Sequence, residues 1–326
     1  MADRARAEIP FARVLATRSL AETETFVREL QRTTPDLLLS AGGDGTAVGL
    51  INALRSVEGA TSGDPGGLAS LPRIGLLPLG TGNGWANATR APRWREGLAR
   101  VGALARQRSP ISTRRFDLVE VCGQIAPFAG TGWDAELIDD FHAQKTGFGL
   151  LPQGARKGVA GYLQGLFTRT VPRHVFSRER LQVELVNTGE DAFTIDDDGK
   201  PIPLPGGENG RVLYTGPVGV CGAATSAEWG FGFKSYPFAG SMPRRICVRV
   251  YSAGPIEAVF HTRDLWQGLH PLAKMHTWML TSCKMTFSRP VPFQIGGDRQ
   301  GHVDQVDYRI APETVDVLDW TAIARA

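Results

Sequence analysis

Cysteine is scarce in this chain and widely scattered. Cys122, Cys221, Cys247 and Cys283 are the only four, and no C-x-x-C pair occurs. That spacing excludes a disulfide framework or a zinc ribbon and predicts a reducing, cytoplasmic setting. No apolar run reaches the roughly 18–20 residues needed to span a bilayer. The first residues, Met1 to Arg6, carry charge without a following apolar core, so no cleaved export signal is expected. Charge of one sign is also lacking: the formal net charge is +3. This is too weak to imply nucleic acid, yet compatible with an anionic membrane surface or a phosphate ligand. Neither a G-K-[ST] phosphate loop nor a G-x-G-x-x-G dinucleotide fingerprint follows the candidate strands. What remains is ordinary globular composition, 42% hydrophobic and 21% charged over 326 residues, with room for two domains.

Two segments stand out against that background. Leu37-Leu38-Leu39-Ser40-Ala41 runs into Gly42-Gly43-Asp44-Gly45-Thr46, and apolar residues resume at helical spacing with Val48, Leu50, Ile51 and Leu54. This reads as a buried strand, a tight turn and a helix. Glycines there let backbone N–H groups approach a phosphate, and the helix N-terminus adds a favourable dipole. Asp44 would repel a phosphate, so it is read as facing a metal ion, a water or a reacting hydroxyl. Ile74 to Asn83 repeats the design: apolar strand, then Pro78-Leu79-Gly80-Thr81-Gly82-Asn83, then a helix-compatible stretch from Trp85 to Thr89. Two glycine-rich strand ends can line one crevice at the carboxyl ends of parallel strands, where open α/β sheets bind ligands.

Strand and helix signals alternate in the first half. Phe11 to Leu15 reads as a first strand. Ser19 to Leu30 reads as a helix, with Ser19 as N-cap and Glu22 completing a capping box. Gly59 to Ser70 is a surface insertion, and Trp94 to Arg106 a basic amphipathic helix. Beyond Arg115 the segments Phe116–Val121, Leu181–Val186, Arg211–Gly216, Ile246–Val250, Cys283–Phe287 and Val303–Ile310 are short and β-like. The expected fold is an α/β N-terminal domain with a parallel sheet, residues 1–112, followed by an all-β, antiparallel sandwich-like domain, residues 113–313. Residues 314–326 are expected to return to the first domain.

The pair G-G-D-G-T and P-L-G-T-G-N resembles the diacylglycerol kinase catalytic family, which includes sphingosine kinases and bacterial soluble lipid kinases. Phe128-Ala129-Gly130-Thr131-Gly132-Trp133-Asp134-Ala135-Glu136 resembles its G-x-G-x-D-A-x segment. The NAD kinases share G-G-D-G-T but lack P-L-G-T-G-N. The resemblance implies transfer of phosphate from ATP, with Mg2+, to the hydroxyl of a lipid alcohol. It implies that Thr17, Gly42, Gly43, Gly45, Thr46, Gly80, Thr81, Gly82 and Asn83 hold the nucleotide. Asp44 is then catalytic and organises the metal, and Asp134 approaches the lipid head group or braces its own turn. Partners would be the lipid substrate and, transiently, a membrane surface; a homodimer stays open.

Departures from the family pattern are substantial. Val48-Gly49 stands where a polar residue and then Glu are usual, and Gly84 where Asp is usual. The family's Q-x-D-G-E reads Gln294-Ile295-Gly296-Gly297-Asp298 here. The usual general base is thus Gly296, and Asp298 is the candidate substitute. Ser241-Met242-Pro243-Arg244, without a carboxylate, follows Pro237-Phe238-Ala239 where a metal segment is usual. Either Asp298 has taken over the catalytic role, or the chain is a nucleotide- or lipid-binding relative with degenerate catalysis. Phe141 to Phe176 mixes apolar and basic residues with no acidic one. It suits a helix lying on an anionic bilayer, or an ordinary amphipathic helix with a cationic face.

Overall fold

The computed structural model describes residues 1–17, 19–30, 35–58, 70–133, 135–138, 140, 164–165, 168 and 179–323. The chain divides into two compact units, Met1–Phe116 with Pro312–Ala326, and Asp117–Ala311.

In the first unit, β1 (Leu38–Gly42) and β2 (Ser70–Pro78) lie parallel, joined through helix α3 (Asp44–Glu58). The last strand of the chain, β14 (Asp298–Leu318), ends in this unit, where Thr314, Val315 and Val317 pair parallel to β2. A parallel pair needs a crossover connection, and α3 supplies it. Helices α1 (Ala2–Glu8), α5 (Trp94–Gln107) and the short α6 (Trp320–Ile323) share one core cluster built from Ile9, Leu77, Leu98, Val101, Leu318 and Trp320. Helix α5 sits close on the sheet because residue 97 is glycine: a Cβ there would lie 2.6 Å from Leu77 and 3.2 Å from Trp320. Asp319 starts α6 by accepting the N–H and hydroxyl of Thr321 at 2.9 and 2.6 Å. Those bonds hold its carboxyl below the usual range.

Ser19 caps α2 (Leu20–Leu30) as expected, its Oγ accepting the Glu22 N–H at 3.2 Å. The strand expected at Phe11–Leu15 is not formed. Ile9 takes the buried slot against α5, and the chain then leaves the core, with Phe11 71% and Leu15 44% exposed. The insertion read at 59–70 lies outside the described residues, apart from Ser70 at the start of β2.

The second unit is antiparallel. Its hydrogen-bonded path runs from β14 through β13 (Ser282–Ile295), β5 (Phe128–Gly132), β10 (Val220–Ala224), β11 (Ile246–Tyr251) and β12 (Met275–Leu280) to β7 (Phe193–Ile195) and β8 (Pro201–Pro203). The first half of β13 pairs with β6 (Gln182–Asn187), which pairs with β9 (Val212–Pro217); its second half pairs with β5. The register breaks between Thr286 and Val291, where Pro290 cannot donate to a ladder. One strand therefore takes two partners along its length. Strand β3 (Thr113–Val121) pairs with β4 (Gln124–Ala126) and β14. Arg244 donates to both oxygens of Asp117, from its main chain and Nη1 at 2.8 Å each, and to the Ala311 carbonyl at 2.6 Å. Those residues begin and end the unit, so one guanidinium ties both of its chain ends.

Candidate functional site

The two glycine loops of the first unit meet main chain to main chain. A Cβ on Gly80 would lie 2.3 Å from the Gly43 Cα, and a Cβ on Gly43 would lie 3.1 Å from the Gly80 Cα. The Gly42 carbonyl accepts the N–H groups of Leu79 and Gly80 at 3.0 and 3.2 Å. Glycine at 43 and 80 is thus required for the loops to touch, before any ligand is considered. Gly42 has a different reason: a Cβ there would fall 2.3–2.7 Å from the Thr46 side-chain atoms.

Gly43 is the N-cap of α3, since its carbonyl accepts the Thr46 and Ala47 N–H groups at 3.1 and 3.2 Å. The Gly45 N–H, ahead of those bonds, points out of the helix N-terminus. Thr46 is exposed, and so is Thr81 on the second loop. Each loop therefore offers one exposed hydroxyl.

Asp44 reaches across to the second loop. Its Oδ2 accepts the Gly84 N–H at 2.8 Å and its Oδ1 accepts the Trp85 N–H at 2.9 Å. Those two residues open helix α4 (Gly84–Ala88). A carboxylate on two orphan helix N–H groups is a charge-assisted cap. Trp85 is fully buried and meets Phe116 edge to face, with centroids 6.5 Å apart, so α4 cannot drift from the clamp. Sequence reasoning missed this role. Asn83, expected on the nucleotide, braces its own loop: its amide accepts the Gly80 N–H at 2.9 Å and donates to the Gly80 carbonyl at 2.7 Å. Its left-handed backbone, φ 53°, closes the turn. An asparagine between two glycines after a strand is the signal that could have shown it.

The loops also line a small cleft with Ser40, Ala47, Leu76, Leu77 and Ala86. Gly45 and Gly82, both half-buried, belong to the two loops. Thr17 is exposed on the irregular segment that leads to α2.

Among the described residues no group of three His, Cys, Asp or Glu side chains could hold a metal, and each Asp44 oxygen already accepts a main-chain N–H. Magnesium requires an octahedral oxygen shell. Each Asp44 oxygen keeps a further lone pair beside its N–H bond, so the loop clamp and the expected role toward magnesium carried by a nucleotide are compatible.

In the second unit the hairpin between β13 and β14 carries the other candidate. Ile295 pairs with Asp298 across a two-residue turn, in which Gly296 and Gly297 have φ of 57° and 85°. Two successive positive φ values make the tight turn that matches strand twist. Gly296 is buried and donates its N–H to the Phe128 carbonyl at 2.9 Å, and Gln294 accepts the Gly297 N–H at 2.8 Å. The hairpin is thereby joined to the third motif, whose strand β5 pairs with β13 at Ala129, Gly130 and Thr131. Asp298 is exposed at the start of β14. Asp134 lies outside the described residues. Gly132, at φ 95°, packs where a Cβ would sit 2.2 Å from the Gly219 carbonyl oxygen.

Residues 5–121 match the family model of the diacylglycerol kinase catalytic domain. Over 97 residues the chain is 35% identical to "Probable lipid kinase YegS-like" of Xanthomonas campestris pv. campestris (strain 8004), a match spanning 29% of this chain and 28% of that protein. In fold it is similar to a candidate diacylglycerol kinase from Bacillus anthracis str. Sterne, with a TM-score of 0.60 at 16% identity, covering 96% of this chain and 88% of that one. A second Bacillus anthracis str. Sterne structure, of a diacylglycerol kinase, gives 0.56 at 13% identity, covering 96% and 87%. The matched segment holds both glycine loops and the Asp44 clamp, and it is the part of the chain that is similar to the diacylglycerol kinase catalytic domain.

Proposed function

We propose that the chain is a lipid kinase that transfers the γ-phosphoryl group of magnesium-bound ATP to the hydroxyl of a lipid alcohol, such as a diacylglycerol or a sphingoid base. The observation that carries this reading is the Asp44 clamp: it holds two phosphate-type glycine loops in register within a segment similar to the diacylglycerol kinase catalytic domain. The α3 N-terminus and the Thr46 and Thr81 hydroxyls receive the phosphates, and Thr17 assists. Magnesium arrives with the nucleotide as part of the substrate. The acceptor oxygen attacks the γ-phosphorus, the bond to the β–γ bridging oxygen breaks, and ADP leaves. The acceptor's proton passes to the Asp298 carboxylate. Positioning and charge neutralisation supply most of the rate in such transfers.

A second reading has its own observation. Arg244, ion-paired with Asp117, stands where the family resemblance implies a metal-binding segment, and Gly296 stands at the general-base position. A relative that binds nucleotide or lipid without turnover would show both. Labelled ATP offered with a panel of lipid alcohols and with NAD separates the readings. Cytoplasmic residence and a homodimer belong to the proposal as well. So does membrane association through Phe141 to Phe176, most of which lies outside the described residues.

A further inference from the structure

Strand register sets five residues of the second unit in one row. Gln294 of β13 pairs with Gly130 of β5, Gly130 with Gly222 of β10, Gly222 with Arg249 of β11, and Arg249 with Thr277 of β12. Directly paired residues share a face of the sheet. The row is therefore polar at both ends and free of side chains between Gln294 and Arg249. Arg249 is only 5% exposed. Its Nε donates to Thr277 Oγ1 at 3.1 Å, and its Nη1 donates to the Ser235 carbonyl. Its Nη2 is buried and makes no hydrogen bond. Neither does the buried Oγ of Ser235, the residue that Nη1 already touches.

A buried guanidinium needs a counter-charge as well as hydrogen bonds. The groups that favour its charged form here are the Cys247 thiol and the Tyr236 phenol, and burial outweighs both, holding the Arg249 pKa below the usual arginine value. Burial pushes the Cys247 thiol itself up to about 12, so it stays neutral. Among the described residues no carboxylate bonds to Arg249. A water would satisfy the free N–H groups and leave the charge. An oxyanion supplies both, accepting from Nη2 as carboxylates and phosphates do from arginine, and from the Ser235 hydroxyl. We propose that Arg249 and Ser235 form a binding site for an oxyanion, a phosphate or carboxylate group that is free or carried by a lipid. A strand fixes Arg249, whereas Ser235 lies on a stretch that is neither helix nor strand. Displacement of that stretch admits the anion and leaves the sheet paired. The site belongs to the second unit alone and does not depend on the kinase reading.

The test is thermal unfolding of the full chain in a zwitterionic buffer, titrated with inorganic phosphate, with acetate and with dihexanoyl phosphatidic acid. An anion bound by the native state alone raises the melting temperature. The wild type should gain more than Arg249→Met from at least one of the three, with the apparent affinity for that anion at least about tenfold lower in the variant. General salt effects, and any anion held by the glycine loops, are common to both proteins and cancel in the comparison. Ser235→Ala removes one hydroxyl from an irregular stretch, so it should fold and show a smaller loss in the same direction. It carries the test if Arg249→Met does not fold. A gain from the lipid phosphate alone identifies a lipid-borne ligand, and a gain from phosphate or acetate a free one. Equal gains by the wild type and Arg249→Met with all three anions overturn the proposal, as do equal gains by the wild type and Ser235→Ala where Arg249→Met does not fold. Nη2 then meets water only. Phosphate transfer plays no part in the readout, so failure of the kinase reading would leave the result standing.

Discussion

The main-chain N–H of Trp85 donates to Oδ1 of Asp44 at 2.9 Å, across forty-one residues of sequence. With the matching bond from Gly84 to Oδ2, this makes Asp44 the cap of a helix it does not belong to. Asp44→Ala would leave two helix N–H groups without their charged acceptor, at a cost of about 1.5–3 kcal/mol. Asp44→Asn keeps one acceptor and turns an amide N–H toward the other donor, so a comparable loss is expected. Denaturant unfolding should show both losses, with ATP affinity falling in parallel. Unchanged stability in both variants would remove the clamp.

Gly80→Ala should be more damaging than Gly43→Ala. The first places a Cβ 2.3 Å from a Cα that cannot rotate away, and the second leaves 3.1 Å. Parting the loops should weaken ATP binding measured by calorimetry, with the larger drop at position 80. The reverse order would show that the loops separate at little cost.

Thr46→Val and Thr81→Val act on the ligand alone, because both side chains are exposed. A hydroxyl bonded to a charged phosphate contributes about 1.5–3 kcal/mol, so each change should weaken ATP binding about ten- to a hundredfold. Melting temperatures should stay put. Full affinity in both variants would move the phosphates away from these loops.

The loops were legible because an apolar strand ending in glycines is a local signal, and so was the α5 helix with its apolar spacing. The clamp was not. Its donors are main-chain N–H groups, which every residue but proline carries, so no letter at 84 or 85 marks them. The strand Phe128–Gly132 was read as a motif and not as a strand because alanine, glycine and threonine carry little β signal. Small residues are needed there: a Cβ on Gly222 would lie 2.3 Å from the Ala129 carbonyl oxygen. Phe11–Leu15 misled in the opposite direction, being apolar enough for a strand yet displaced from the core by Ile9.

Asp298 can be tested against Gly296 at the same hairpin. Asp298→Asn keeps shape and removes basicity, so turnover should fall about 10²–10⁴-fold with ATP affinity unchanged. Gly296→Asp enters a position at φ 57°, a backbone region that aspartate visits more readily than most residues. That variant should fold and raise turnover. Steady-state kinetics in which Asp298→Asn matches the wild type would place the base elsewhere.

Transfer of the labelled γ-phosphate of ATP to lipid alcohols, with magnesium and with NAD as control acceptor, bears most directly on the proposed activity. The expected result is label on a diacylglycerol, a sphingoid base or a related lipid alcohol, and none on NAD. Label on NAD, or tight ATP binding with no labelled acceptor of any kind, would contradict it.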